Sequence, residues 1–177
     1  CAGHIDVGAK GSSDDHLLDF LFRTIVRFQK HLNTGANGCL GQLQFSHIAL
    51  SDRDGWLPAP FLLTHQRPRL VRLCEKMASG NLEIRWNCDA RVDSVDPDLL
   101  RLMKRAGCWM ISYGVESGSQ KILDRIRKGI TLEQVEQAVR WTKEAGIRAK
   151  GLFMIGYPEE TEETLGQTLD FIRRSRL

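Results

Sequence analysis

No apolar run in the 177 residues approaches the roughly 18 that a membrane span needs. The chain begins Cys1-Ala-Gly-His-Ile-Asp6, without the apolar stretch of a secretory leader. Neither sign of charge prevails: 25 Lys and Arg against 22 Asp and Glu leave a net of +3. That balance gives no footprint for nucleic acid or an anionic membrane surface. The five cysteines are Cys1, Cys39, Cys74, Cys88 and Cys108, an odd number with no two spaced by two or three residues. They make neither a disulfide framework nor a complete zinc or iron–sulfur motif. Cys74, Cys88 and Cys108 instead read as small buried hydrophobes in a reducing, cytoplasmic compartment. The five histidines are scattered, no Ser/His/Asp arrangement is legible, and no Gly-x-Gly-x-x-Gly run follows a strand. The last absence counts against a dinucleotide-binding fold.

What remains is one domain's length of ordinary globular composition, 42% hydrophobic and 27% charged. Leu17, Leu18, Leu21, Phe22, Ile25 and Val26 recur with a helical period behind Ser13. Residues 43–50 read as a buried strand, and 51–60 as a loop with Asp52, Asp54 and Gly55. A helix then starts at Pro68 and ends at Gly80. Alternation predicts a strand over 82–88. Asp96 and Pro97 open a helix that Gly107 stops, and strand 108–115 follows. Ser119 opens a short helix ending at Gly129. Thr131 with Gln134 forms a capping box, and Gly146 closes that helix. A strand over 147–155 and a last helix capped by Thr161 complete the chain.

Helix, then strand and helix four times over, implies parallel strands with right-handed crossovers. The expectation is an α/β fold, an open sheet or part of a (βα) barrel, with strands 43–50, 82–88, 108–115 and 147–155 adjacent in that order. In either case ligands meet the carboxyl ends of the strands. Three of those ends carry polar residues that a core does not need. Asn87, Asp89 and Arg91 end one strand; Glu116, Ser117, Gly118 and Ser119 end the next; Gly156 to Glu160 end the last. Structural alternatives stand beside the functional ones. Ser119 can be a helix cap, Glu116 can pair with Arg91, and Glu159 or Glu160 can face a helix N-terminus.

Several ordered stretches resemble the radical S-adenosylmethionine superfamily, nearest the cobalamin-dependent and methylthiotransferase-like group. They are Trp86-Asn-Cys-Asp-Ala-Arg-Val-Asp93, Leu99 to Cys108, Gly114-Val-Glu-Ser-Gly-Ser-Gln120, Ile122-Leu123, Lys128-Gly-Ile-Thr131, Ala145-Gly-Ile147 and Phe153-Met-Ile-Gly-Tyr-Pro-Glu-Glu-Thr161. The resemblance implies a partial (βα)6 TIM-like barrel, with four to five βα units in this chain. It also implies a 4Fe–4S cluster on a Cys-x3-Cys-x2-Cys loop after the first strand. One electron from that cluster cleaves S-adenosylmethionine, and the 5′-deoxyadenosyl radical abstracts a substrate hydrogen. A reductant such as flavodoxin or ferredoxin, a small-molecule substrate, and cobalamin held by a further domain are implied in the same way.

The three-cysteine motif itself is absent. Cys1 stands where the last cluster cysteine falls in the family. The expectation is a single incomplete core domain over 1–177, with 1–13 the tail of the cluster loop and 14–177 the βα units. Carried over by position, the resemblance sets Glu116, Ser117 and Gly118 against the methionyl group or the ribose hydroxyls. It sets Asn87 and Arg91 at the preceding strand end, with Arg91 on the methionyl carboxylate. Lys128 lies near the same carboxylate, while Ile155, Gly156 and Tyr157 hold the adenine. Two rivals remain open: a cluster-free binding module of the same fold, and an unrelated α/β enzyme using Glu116 as general base.

Overall fold

Trp86, Cys88 and Ala90 alternate along one strand, and Ile111, Tyr113 and Val115 along its neighbour; all six are buried. That period of two turns one side of each strand onto the helices. The computed structural model describes residues 42–44, 50–52, 55–57, 64, 66–80 and 85–177, the first three stretches as backbone only. The helix expected behind Ser13, and Cys1, the expected cluster ligand, lie outside the described residues.

The described elements are β1 (Gln42–Gln44), β2 (Leu50–Asp52), β3 (Gly55–Leu57), α1 (Arg67–Ser79), β4 (Arg85–Ala90), α2 (Pro97–Arg105), β5 (Cys108–Glu116), α3 (Gln120–Arg125), α4 (Leu132–Glu144), β6 (Arg148–Phe153) and α5 (Glu162–Ser175). Strands β1, β4, β5 and β6 form one sheet in that spatial order, every pair parallel. This is the adjacency that the βα alternation implies. Two boundaries differ from the sequence reading. The strand expected over 82–88 is observed at Arg85–Ala90, so Asn87 and Asp89 sit within it rather than after it. The expected loop at 51–60 contains an antiparallel pairing of β2 with β3, Leu50 opposite Leu57 and Asp52 opposite Gly55. Leu50 therefore belongs to this hairpin rather than to the strand before it. A two-residue connection is hairpin spacing, but no alternating apolar pattern marks these short strands in the sequence.

Local chemistry fixes the helix ends. The Asp96 carboxylate accepts the Leu99 N–H at 3.0 Å with Pro97 following, and Thr131 and Gln134 close a reciprocal capping box. Gly107 and Gly146 take φ of 92° and 72° just past α2 and α4, a conformation that costs other residues more. Behind the sheet, Trp86 donates its indole N–H to the Ala106 carbonyl at 2.7 Å. Thr142 donates to the Ala138 carbonyl, so the Tyr113 hydroxyl donates to Thr142, at 2.7 Å. Side chains of all five described α-helices join this one core, Phe171 of α5 meeting the Phe153 ring edge to face. Each large apolar side chain buried there contributes about 1.5–3 kcal/mol.

Asn87 and Asp89 point to the opposite side from Trp86 and Cys88. They pair in register with Met110 and Ser112 of β5, and Ser112 in turn with Lys150 of β6. This face carries Asn87, Asp89, Ser112 and Lys150, and it leads to the carboxyl ends of the strands.

Candidate functional site

A β-bulge sets the central residue of the site. Gly114 pairs with Leu152 but Glu116 pairs with Phe153, so β5 accommodates Val115 as an extra residue at its end. Glu116 then takes a left-handed φ of 76° while its carbonyl still accepts the Met154 N–H at 2.9 Å. A non-glycine residue held there costs of order 1–3 kcal/mol and re-aims the side chain. The Glu116 carboxylate is engaged on both oxygens. Lys128 Nζ lies 2.8 Å from Oε1, and the Tyr157 hydroxyl donates to Oε2 at 3.3 Å. The Lys128 and Glu116 side chains are only 14% and 22% exposed. Burial, together with the Glu116 charge, pushes the Tyr157 phenol above its ordinary range.

The loop carrying Lys128 follows α3 and is sharply bent, with left-handed φ at Arg127 and Gly129 on either side. Gly114 makes room for the ion pair. A methyl group there would lie 3.2 Å from Glu116 Oε1 and 3.3 Å from Lys128 Nζ. A glycine inside a strand is the sequence signal of such close approach.

Arg91 does not pair with Glu116. Its Nε and one terminal nitrogen bind the Asp93 carboxylate at 3.0 and 2.8 Å, and that same nitrogen donates to the Lys128 carbonyl at 3.2 Å. The Nε edge of the guanidinium, expected to meet a ligand carboxylate, is held here by the protein's own Asp93. Asn87 is 5% exposed, and its Oδ1 has no hydrogen-bond partner among the described residues. It is a buried polar atom on the face opposite Trp86 and Cys88, of the kind a bound ligand satisfies.

Ser117 and Gly118 turn the other way. The Ser117 hydroxyl is fully buried 3.1 Å from Thr168 Oγ1 of α5, and the Gly118 N–H donates to the same oxygen at 3.1 Å. A Cβ on Gly118 would lie 2.6 Å from Phe171 Cβ and 2.7 Å from Thr168 Cα. Both residues thus pack against α5. Thr168, fifty positions further on, carries no local signal of this. Ser119 occupies the N-cap position of α3, yet its hydroxyl makes no cap bond and is buried without a partner among the described residues.

Past β6, Ile155 is 65% exposed, and Gly156 takes a φ of 96° and donates its N–H to Glu160 at 2.6 Å. Glu159 is ion-paired with Arg125 of α3 rather than left to the α5 dipole alone. A hollow of about 410 Å³ lies at this pairing, lined by Lys121, Ile122, Asp124, Arg125 and Glu159. Another of about 330 Å³ is lined by Thr64, Arg67 and the segment from Asp93 to Asp96.

The described cysteines do not suit an iron–sulfur cluster. Cys74, Cys88 and Cys108 are all buried on the helix side of the sheet. Burial pushes the Cys74 thiol up to about 12, and Cys88 is raised by its contact with Cys108 and by burial. No group of three or more His, Cys, Asp or Glu suited to a metal occurs among the described residues. Glu116, Lys128, Tyr157 and Asn87, by contrast, offer both signs of charge, a hydroxyl and a free amide oxygen to a polar ligand.

Residues 59–172 match the profile of the Radical SAM superfamily. Over 111 residues the chain is 34% identical to an uncharacterized methyltransferase of Pyrococcus horikoshii, covering 63% of this chain and 24% of the relative. Over 112 residues it is 33% identical to the anaerobic magnesium-protoporphyrin IX monomethyl ester cyclase of Rubrivivax gelatinosus, covering 62% of this chain and 20% of the relative. The solved structure of the cobalamin-dependent S-adenosylmethionine radical enzyme OxsB with aqua-cobalamin bound superposes with a TM-score of 0.66 and 25% identity. It matches over 90% of this chain and 22% of its own. The chain thus spans about a quarter or less of each of these proteins.

Proposed function

Since this chain belongs to the radical SAM superfamily, we propose that it supplies the S-adenosylmethionine-holding part of a radical enzyme's partial (βα)6 barrel. The observation that carries this reading is the Glu116–Lys128–Tyr157 cluster at the carboxyl end of β5. A bulge and a strained backbone hold it where this architecture receives ligands. S-adenosylmethionine carries an ammonium, a carboxylate and two ribose hydroxyls. Glu116 accepts from an ammonium or a hydroxyl, and Lys128 donates to a carboxylate. The Asn87 amide oxygen takes a further donor from the face opposite Trp86. Ile155, Gly156 and Tyr157 flank the adenine by apolar contact and backbone hydrogen bonds.

A bound 4Fe–4S cluster would supply the one electron that splits S-adenosylmethionine into methionine and a 5′-deoxyadenosyl radical. Its ligands are not among the described residues, and Cys1 is the candidate that this sequence offers. The work of the described residues is to bind and orient. They fix the methionyl end between opposite charges and keep the adenosyl end against the β6 exit. Cobalamin in a further domain, a flavodoxin or ferredoxin as electron donor, and a small-molecule substrate complete the reading for the full-length protein. The cobalamin-bound neighbour supports the first of these. No described helix is long and apolar enough to cross a membrane. A cytoplasmic location, suited to three free buried thiols, is part of the proposal.

Titration calorimetry with S-adenosylmethionine on the cluster-loaded, full-length protein tests the site. Glu116→Gln keeps the shape and removes the charge, and weakens binding by about 1–3 kcal/mol. Equal affinities, with equal melting temperatures, would leave Glu116 a structural partner of Lys128.

A further inference from the structure

We propose that Arg91 is a positioning residue that acts through Lys128: it ties the Lys128 main chain to the exit of β4, so that the ammonium is presented to Glu116. The inference rests on the reading that Glu116 and Lys128 meet S-adenosylmethionine. Its geometry stands apart from that reading. Asp93 holds the guanidinium with two parallel hydrogen bonds at 2.8 and 3.0 Å, which fixes its plane as well as its place. The remaining reach of the terminal nitrogen goes to the Lys128 carbonyl at 3.2 Å, thirty-seven positions along the chain.

That carbonyl belongs to a short segment with little else to fix it. Arg127 and Gly129 are both left-handed, and the Lys128 N–H is held by the Leu123 carbonyl at 3.0 Å. Arg91 thus supplies the cross-strand restraint on the acceptor side of the very residue whose side chain reaches Glu116 Oε1 at 2.8 Å. An Arg that touched the ligand would keep its fork open. This one closes its Nε edge on Asp93, and the terminal nitrogen shared with Asp93 also donates to the backbone. Lysine cannot replace it, because a single ammonium cannot span a carboxylate bidentately and a carbonyl together.

The test compares wild type, Arg91→Met, Lys128→Met and the double variant in the full-length, cluster-loaded protein, titrated with S-adenosylmethionine. Arg91→Met and Lys128→Met should each weaken binding, by about tenfold where one charge-assisted bond is lost. The double variant should be no weaker than Lys128→Met alone, because Arg91 has no other route to the ligand. Multiplying losses would overturn the inference and make Arg91 a direct contact.

A second readout needs no ligand. NMR titration of the Tyr157 phenol, Cζ-labelled, reports the charge balance at Glu116, with Glu160 the other carboxylate acting on it. Releasing Lys128 leaves Glu116 more negative toward Tyr157, so Arg91→Met and Arg91→Lys should both raise the phenol pKa, as Lys128→Met does. An Arg91 that merely stabilised the fold would shift the melting temperature and leave this titration in place, which overturns the proposal. Unchanged ligand affinity in Lys128→Met would reject the ligand reading, and the tyrosine titration would still decide for or against Arg91.

Discussion

Replacing Gly118 by alanine is the sharpest test of how the end of β5 is seated on α5. The added methyl would lie 2.6 Å from Phe171 Cβ and 2.7 Å from Thr168 Cα. Both atoms are anchored in helix backbone or one bond from it, so no side-chain rotation relieves the clash. The helix must withdraw by roughly an ångström, which forfeits a large part of its dispersion contacts over the interface. Overpacking of this kind costs about 1–3 kcal/mol. The withdrawal also stretches the bonds from Thr168 Oγ1 to the Gly118 N–H and the Ser117 hydroxyl, both 3.1 Å, worth about 1 kcal/mol more. The expected loss is therefore about 2–4 kcal/mol, read as a lowered urea midpoint at constant slope. Gly166, inside α5, is the control: a Cβ there meets nothing within 4 Å. Gly166→Ala should stabilise by about 0.5–1 kcal/mol through helix propensity. If Gly118→Ala behaved like Gly166→Ala, the packing role given to Gly118 would be refuted, and a ligand approach at that glycine would regain its place.

Cys74, Cys88 and Cys108 should stay unreactive toward a thiol reagent in the native protein at pH 8, because all three are buried and the Cys74 thiol is pushed up to about 12. Labelling of the three before unfolding would show that the helix side of the sheet is open. Asp96→Ala removes the α2 cap and should cost about 0.5–2 kcal/mol at pH 7 by thermal or urea unfolding. The Arg67 ion pair, helped by the Leu99 N–H, holds the Asp96 carboxyl below its usual range. Its stabilisation is thus full above the unfolded pKa and fades as pH falls through the folded one. The gap between wild type and Asp96→Ala should accordingly close in acid. A gap that persisted at pH 2 would mean that packing, not the ionised cap, sets the cost.

Much of this fold is legible from residue order, because its signals are local. Asp96-Pro97, Thr131 with Gln134, and Gly107 and Gly146 mark helix ends through bonds and dihedrals within a turn of each other. Glu116 is legible as an ionisable residue closing an otherwise apolar strand. What sequence does not disclose is which way the following residues turn. Ser117 and Gly118 look like a ligand loop until Thr168 and Phe171 arrive from α5 to cover them. Arg91 looks like an open fork, although Asp93 stands two positions away and closes it. Strand-end adjacency points to Arg91 as the partner of Glu116, but the bent loop after α3 brings the Lys128 ammonium to it instead. The hairpin at 50–57 escapes notice because three-residue strands are too short to show a period.

The most direct measurement of the central claim is the product of reductive cleavage. The full-length protein, loaded with its cluster under anaerobic conditions, is mixed with S-adenosylmethionine and dithionite, and 5′-deoxyadenosine is quantified by chromatography. Wild type should release it, and Glu116→Gln with the same iron and sulfide content should release markedly less at limiting S-adenosylmethionine, recovering as the concentration rises. No 5′-deoxyadenosine from a fully loaded wild-type protein, or identical concentration dependence in the two proteins, would contradict the assignment of the Glu116 cluster to S-adenosylmethionine.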